Sequence, residues 1–293
     1  MNMTGILFAL TAALLNASIA IFSKKLFGYG LSPELIALYK SVIAAGILWC
    51  LPLRRFQQPP IGAAIVCAFL GIFVLFFFET KAYAYELAAN VVFAMMATAA
   101  LSSILLSRLI LKEAIPSASW IGFLTCLLGL ALLLDISQPT RLLGLLFAGI
   151  AGLGYGAFSV AAKKMQLGSG LAVTRGLLGF GACYLLIPAM HGGLSVPPLS
   201  ALGLLAGLAL LPSIGGFYCT TRAIQILTPS QVQILELSEP VFVLVLAGLF
   251  FRELPNAQML FGAAVILAGI CITHRQEQTG RLFNRTKEIL LRR

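Results

Sequence analysis

The sequence predicts an all-α integral membrane protein, ten transmembrane helices arranged as two inverted five-helix repeats. Three observations carry that reading. The 293-residue chain is 60% apolar and 10% charged, with a mean hydropathy of +0.99, whereas a soluble domain carries about a quarter charged residues. Apolar runs long enough to cross a bilayer recur along the whole chain. The third observation is self-similarity between the two halves, set out below.

In order, the spans expected are 4–22, 33–53, 60–85, 87–111 and 118–134, then 142–162, 170–189, 198–221, 229–251 and 257–273. The first lacks the basic start of a signal peptide and reads as a retained span closed by Lys24 and Lys25. The second ends at Arg54-Arg55, and residues 135–141 form a central connector. The ninth opens with helix-start chemistry: Thr228 as N-cap, Pro229 at the first helical position, and Gln231 completing a T-x-x-Q capping box. Pro240 lies inside it and leaves the carbonyl of Glu236 without its usual N–H partner, so a kink is expected there.

The halves echo each other at offsets of 139–141 residues. GILFA at 5–9 recurs as GLLFA at 144–148, Lys24-Lys25 as Lys163-Lys164, and Lys81-Ala82 as Arg222-Ala223. Lys112-Glu113 recurs as Arg252-Glu253, and Gly122…Gly129 as Gly262…Gly269. A unit with an odd number of spans inserts its copy upside down, and inverted repeats place a binding site at the midplane between them. The domains are therefore a first repeat at 1–135, a second at 141–274 and a basic tail at 275–293.

Basic residues set the orientation. With the N-terminus inside, the cytoplasmic side gathers Arg54, Arg55, Arg108, Lys112, Lys163, Lys164, Arg222 and the basic residues from Arg275 onward. The other side receives Lys24, Lys25, Lys81, Arg141 and Arg252. Both termini are expected in the cytoplasm of a bacterial inner membrane, with Trp49 and Trp120 near that interface. The net charge of +10 thus reads as topology and contact with membrane lipid, not as nucleic-acid affinity. The tail is either an amphipathic helix on anionic lipid or a solvated basic segment.

No enzyme chemistry is expected. The two histidines, His191 and His274, sit at span ends, Asp135 is the only aspartate, and no Walker loop, H-E-x-x-H or metal-ligand cluster occurs. The six cysteines fall in apolar runs without a C-x-x-C pair and read as small buried hydrophobes. Neither cofactor nor metal is implied.

The charges within the spans are Lys40, Glu79, Arg175, Glu236 and Glu239. An intramembrane charge is a functional hypothesis by default. Lys40 and Glu79 lie at similar depth, roughly 10 Å from the outer ends of their helices, and are opposite in sign. Arg175 and Glu236 are placed as an inverted counterpart, so both pairs are either bundle staples or substrate contacts. Glu239 is left nearest the midplane with no evident partner, a position that suits proton exchange or recognition of a cationic amine. Its first-half equivalent is Ala99, so any acidic chemistry there is one-sided. Asn16 and Tyr155 hold equivalent repeat positions, and Asn90 and Gln233 flank the turns before the fourth and ninth spans. These polar groups complete the candidate substrate- or proton-binding set. Aromatic walls from Phe76, Phe77, Phe78, Phe93 and Phe217 are possible, and Gly149, Gly152, Gly154 and Gly156 read as close helix packing.

The stretch with Glu239-Pro240, the Arg252-Glu253 exit and the Gly262…Gly269 helix resembles the second half of an EamA-type repeat of the drug/metabolite transporter superfamily. With the internal duplication, the resemblance covers nearly the whole chain. It implies a secondary carrier working by alternating access, most often an exporter of amino acids or their derivatives, here with a small-molecule metabolite as partner. An opine- or metallophore-like amino-acid conjugate is the narrower expectation. A drug or nucleotide-sugar carrier of the same superfamily is the alternative, and a non-transporting membrane scaffold or receptor is the rival of a different class. The oligomer is expected to be a monomer or a homodimer.

Overall fold

The computed structural model describes residues 2–53, 58–113, 117–133, 142–251, 257–258 and 260–273. Among them the regular structure is helical. The rods are α1 (Met3–Phe27), α2 (Pro33–Trp49), α3 (Ile61–Tyr85), α4 (Ala88–Ile110), α5 (Ser117–Leu133), α6 (Leu142–Lys164), α7 (Leu171–Gly192) and α8 (Leu199–Ile226). They are followed by α9, in two pieces (Pro229–Glu236 and Glu239–Phe251), and α10 (Leu260–Thr273). Six of these, α1, α3, α4, α6, α7 and α8, are long and apolar enough to cross a membrane by length and composition. Of the rest, α2 and α5 have 17 residues each, α10 is shorter, and α9 is interrupted. Arg54-Arg55, the connector at 135–141, the Arg252-Glu253 exit and the tail at 275–293 lie outside the described residues.

Equivalent helices meet antiparallel, which is how an inverted repeat appears in atomic contacts. A Cβ on Gly122 of α5 would meet the Gly269 carbonyl of α10 at 2.8 Å, and one on Gly129 the Gly262 carbonyl at 2.7 Å. Each glycine thus faces the repeat mate of the other. Between helices surrounded by lipid, close backbone approach takes over the role that apolar burial plays in water. The other contacts obey the same exchange: α1 packs on α8 as α6 packs on α3, and α4 on α6 as α9 on α1. The expected small-residue seam on α6 is real, since a Cβ on Gly152 or Gly156 would collide with the Met95 or Ala99 carbonyl of α4. Gly149, by contrast, has only an ordinary contact, Thr98 Cγ2 at 3.9 Å.

Four helices depart from regular geometry near their middles. α1 breaks at Ala17, between Met3–Asn16 and Ser18–Phe27, where the Ser18 hydroxyl donates to the Leu15 carbonyl at 2.7 Å. α9 breaks at Leu237-Ser238, just before Pro240, which has no N–H to give the Glu236 carbonyl; the Val241 amide donates to the Ser238 carbonyl and not to Leu237, and the Phe242 amide shares that carbonyl as the regular ladder resumes. α3 widens to π-type turns over Phe69–Val74 and α8 over Ala209–Gly216, at equivalent places in the two repeats. Broken helices facing one another at mid-depth are where transporter folds keep their sites.

The rods alternate in direction between two ends, one where α8 passes to α9 and one where α3 passes to α4. At the α8–α9 end the capping box forms as expected: Thr228 Oγ1 accepts from the Gln231 amide, and Gln231 Oε1 accepts from the Thr228 amide. Lys163 of α6 donates to the carbonyls of Ile224, Gln225 and Leu227, so a cation closes the C-terminus of α8. Beside it, burial raises the Glu113 carboxyl above the usual carboxylate range, with Lys163 drawing it the other way. At the α3–α4 end Lys81 pairs with Glu34 at 3.0 Å and lies over the Phe77 ring.

The outer face is apolar, with Leu109, Leu128, Leu142 and Leu249 exposed. A surface of that kind needs lipid around it. The cysteines depart in part from expectation. All six are free, but Cys50, Cys183 and Cys271 face outward while Cys67, Cys126 and Cys219 are buried. Residues on an apolar run of a lipid-facing helix need not point inward.

Candidate functional site

A small cavity of about 10 Å³, near the volume one water needs, lies where the first, third and fourth helices of both repeats converge. The first repeat contributes Asn16 and Ile19 from α1, Leu75, Phe76 and Glu79 from α3, and Met95 and Met96 from α4. From the second come Tyr155 on α6, Pro212 and Phe217 on α8, and Glu239 on α9. The irregular stretches explain why these side chains meet. Asn16 is the last residue before the α1 break, Pro212 lies in the widened turn of α8, and Glu239 begins the second piece of α9. Gly216 lets Asn16 Oδ1 approach to where a Cβ would stand. A metabolite site is typically about 300–1,000 Å³, so the cavity in this conformation is too small to hold a metabolite.

Lys40 and Glu79 form the ion pair expected for them, with Nζ and Oε2 3.6 Å apart and both side chains buried. Lys40 Nζ also sits 3.6 Å from the centroid of the Phe76 ring. An ammonium held by one carboxylate and one ring face, at a separation too long for a hydrogen bond, is tightly enclosed but not fully satisfied.

Arg175 and Glu236 are not a pair. Arg175 Nη2 donates to Gln58 Oε1 at 2.9 Å, and its guanidinium lies over the Trp49 ring at 5.0 Å. The reason is azimuth: α7 turns this face to α2 and the segment before α3, not to α9. Glu236 is instead held by neutral donors. Thr220 Oγ1 donates to its Oε1 at 3.0 Å, and Gln233 Nε2 to its Oε2 at 3.2 Å. Gln233 Nε2 also reaches Ser159 Oγ at 3.0 Å, and Tyr155 Oη lies 3.1 Å from Thr220 Oγ1.

Glu239 is buried on the cavity wall, with no hydrogen bond or ion pair to its carboxylate among the described residues. Glu79 and Glu236 are near enough to act on it electrostatically. Along the bundle the three acids form a column. Glu79 stands six residues before the end of α3, roughly 9 Å in; Glu236 stands about 10 Å from the opposite end, and Glu239 about 15 Å from it. Against these three acids the cluster has one cation among the described residues, Lys40.

Of the remaining candidates, Asn16 and Tyr155 line the cavity, and Gln233 stands behind it on Glu236. Asn90 does not reach it. Its amide donates to Glu86 Oε1 at 3.0 Å, within the turn that starts α4. Phe76 and Phe217 supply the aromatic wall, edge to face with centroids 5.4 Å apart. Phe77 and Phe78 belong to a separate ring cluster with Phe147. Sequence reasoning missed Met95, Met96, Pro212 and Thr220. Repeat alignment held the signal for two of them: Met96 stands opposite Glu236, and Thr220 repeats Thr80.

The chain matches the EamA-like transporter family twice, over residues 3–135 and 142–275. It is 25% identical over 256 residues to a Bacillus subtilis (strain 168) protein described as the uncharacterized transporter YdfC, covering 84% of this chain and 83% of that one. A crystal structure of a protein 19% identical in sequence superposes with a TM-score of 0.76, covering 93% of this chain and 96% of its own. That likeness shows the fold.

Proposed function

The chain belongs to the EamA-like transporter family and is a multi-pass membrane transporter; we propose that it exports a small amine-bearing metabolite of the amino-acid type by alternating access. All ten rods then cross the membrane, with both termini in the cytoplasm of a bacterial inner membrane. The outward direction is the one implied by the resemblance to amino-acid exporters.

The observation that carries the substrate class is the excess of acid around the cavity: Glu79, Glu236 and Glu239 against Lys40 alone among the described residues. Glu79 is answered by Lys40, and Glu236 has its neutral donors. Glu239 is left for whatever enters. An ammonium is the natural partner of an enclosed carboxylate, and the Phe76 and Phe217 faces suit a cation as well. The same excess disfavours a nucleotide-sugar, whose phosphates would face these acids. Amino-acid conjugates of the opine or metallophore kind carry the amine, together with carboxylates that the Asn16 amide can address as a hydrogen-bond donor.

Metabolites in the medium, compared between a deletion strain and an overexpressing strain, test this reading. The expected result is an amine-bearing metabolite that rises outside with expression and accumulates inside on deletion. Accumulation of an anionic nucleotide-sugar instead, or no change in any metabolite, would contradict it.

A further inference from the structure

Glu236 is as deeply buried as Glu239 but is served differently. It does not appear on the cavity wall, yet Tyr155 does, and Tyr155 connects the two. Thr220 donates its hydroxyl proton to Glu236, so the Tyr155–Thr220 bond must have the phenol as donor. The chain therefore runs from cavity wall to Tyr155 Oη, Thr220 Oγ1 and Glu236 Oε1, every donor pointing at the carboxylate. On the other carboxylate oxygen sits the Gln233 amide, whose Oε1 is buried without a hydrogen-bond partner. A buried orphan acceptor beside an acid needs an explanation. Rotating that amide by half a turn offers Oε1 to a protonated Glu236, so each form of the acid finds a partner.

We propose that Glu236 is a proton-holding site of the transporter, loaded and emptied from the cavity through the Tyr155 hydroxyl, and distinct from the substrate-facing Glu239. This deepens the reading of the cavity as a transport site and rests on it.

The transfer balances as a hydroxyl relay. A hydronium ion reaching the cavity gives its proton to the Tyr155 oxygen and leaves as water, while the phenol proton passes to Thr220 and the Thr220 proton passes to Glu236. One O–H bond forms and one breaks at each hydroxyl, and neither keeps a charge. The reverse sequence returns the proton to the cavity. The titratable groups facing Glu236 are Tyr155 on α6, Cys219 on α8 and Glu239 on α9. The elements packed on this part of α9 are α1, α4, α5, α6 and α8, and the charged residues they carry are Lys24, Lys25, Arg108, Lys163, Lys164 and Arg222, all near helix ends.

Infrared spectroscopy of the purified full-length protein tests the assignment with no substrate present, the proton itself being the probe. A protonated carboxyl band should titrate with pH and be absent in Glu236→Gln. After a pH jump, Tyr155→Phe should slow both appearance and disappearance of that band by about tenfold or more. Thr220→Ser, which keeps the hydroxyl, should leave both rates near wild type and guards against a trivial packing effect. A hydrogen bond lost without a relay would change the ratio of the two rates and not slow both. Wild-type rates in Tyr155→Phe, or a band unchanged in Glu236→Gln, would overturn the proposal. Failure of the transport reading shows elsewhere, as undiminished export by Glu239→Gln with the Glu236 band intact.

Discussion

Glu239→Gln should insert and express normally and lose most uphill export of its metabolite in proteoliposomes. The substitution keeps size and hydrogen-bonding capacity on a wall where nothing else among the described residues satisfies the carboxylate. A hydrogen bond to a charged group contributes about 1.5–3 kcal/mol, so export at fixed substrate should fall roughly ten- to a hundredfold. Glu239→Asp keeps the charge one methylene short and should retain part of the activity. The second repeat must supply this group alone, because Ala99 stands in the equivalent place and is buried against Gly156 of α6. Full gradient-driven export by the Gln variant would reduce Glu239 to a buried structural acid.

Lys40→Met should be the most damaging single change to folding. It leaves the Glu79 carboxylate buried with its ion partner gone, a situation that costs about 3–5 kcal/mol. Replacing both members with apolar residues removes the charge that must be satisfied, so Lys40→Met/Glu79→Leu should recover most of the loss. The unfolding midpoint in a denaturing detergent reads this directly. A double variant no more stable than the sum of the singles would mean that the two charges do not stabilise each other.

Much of this was legible in the chain because it depends on spacing along one helix. The repeat offset of Gly122…Gly129 and Gly262…Gly269 implied the duplication and the odd number of spans per unit its inversion, and the antiparallel α5–α10 contact brings those same glycines together in space. Pro240 foretold the α9 break and Thr228-Pro229 its start, since both act on backbone donors within one turn. What failed depended on azimuth. Arg175 and Glu236 share a depth and differ in sign, but depth says nothing about which face a helix turns, and Arg175 turns to Gln58 and Trp49. Asn90 failed likewise, being spent on Glu86 at its own helix start. The α1 break at Ala17 has neither Pro nor Gly to announce it, and the widened turn at Phe69–Val74 lacks the Pro212 that marks its counterpart on α8.

Alternating access requires that the cavity between the repeats open in turn to each side of the membrane. Met96 lines it at mid-depth and offers a side chain whose replacement changes no charge. Met96→Cys, in a chain whose six native cysteines are replaced, can be exposed to a membrane-impermeant thiol reagent in sealed right-side-out and inside-out vesicles. Labelling from both sides, slowed in each case by an excess of the exported metabolite, is the result predicted. Labelling from one side only, unaffected by any metabolite, would contradict alternating access and favour a membrane scaffold instead.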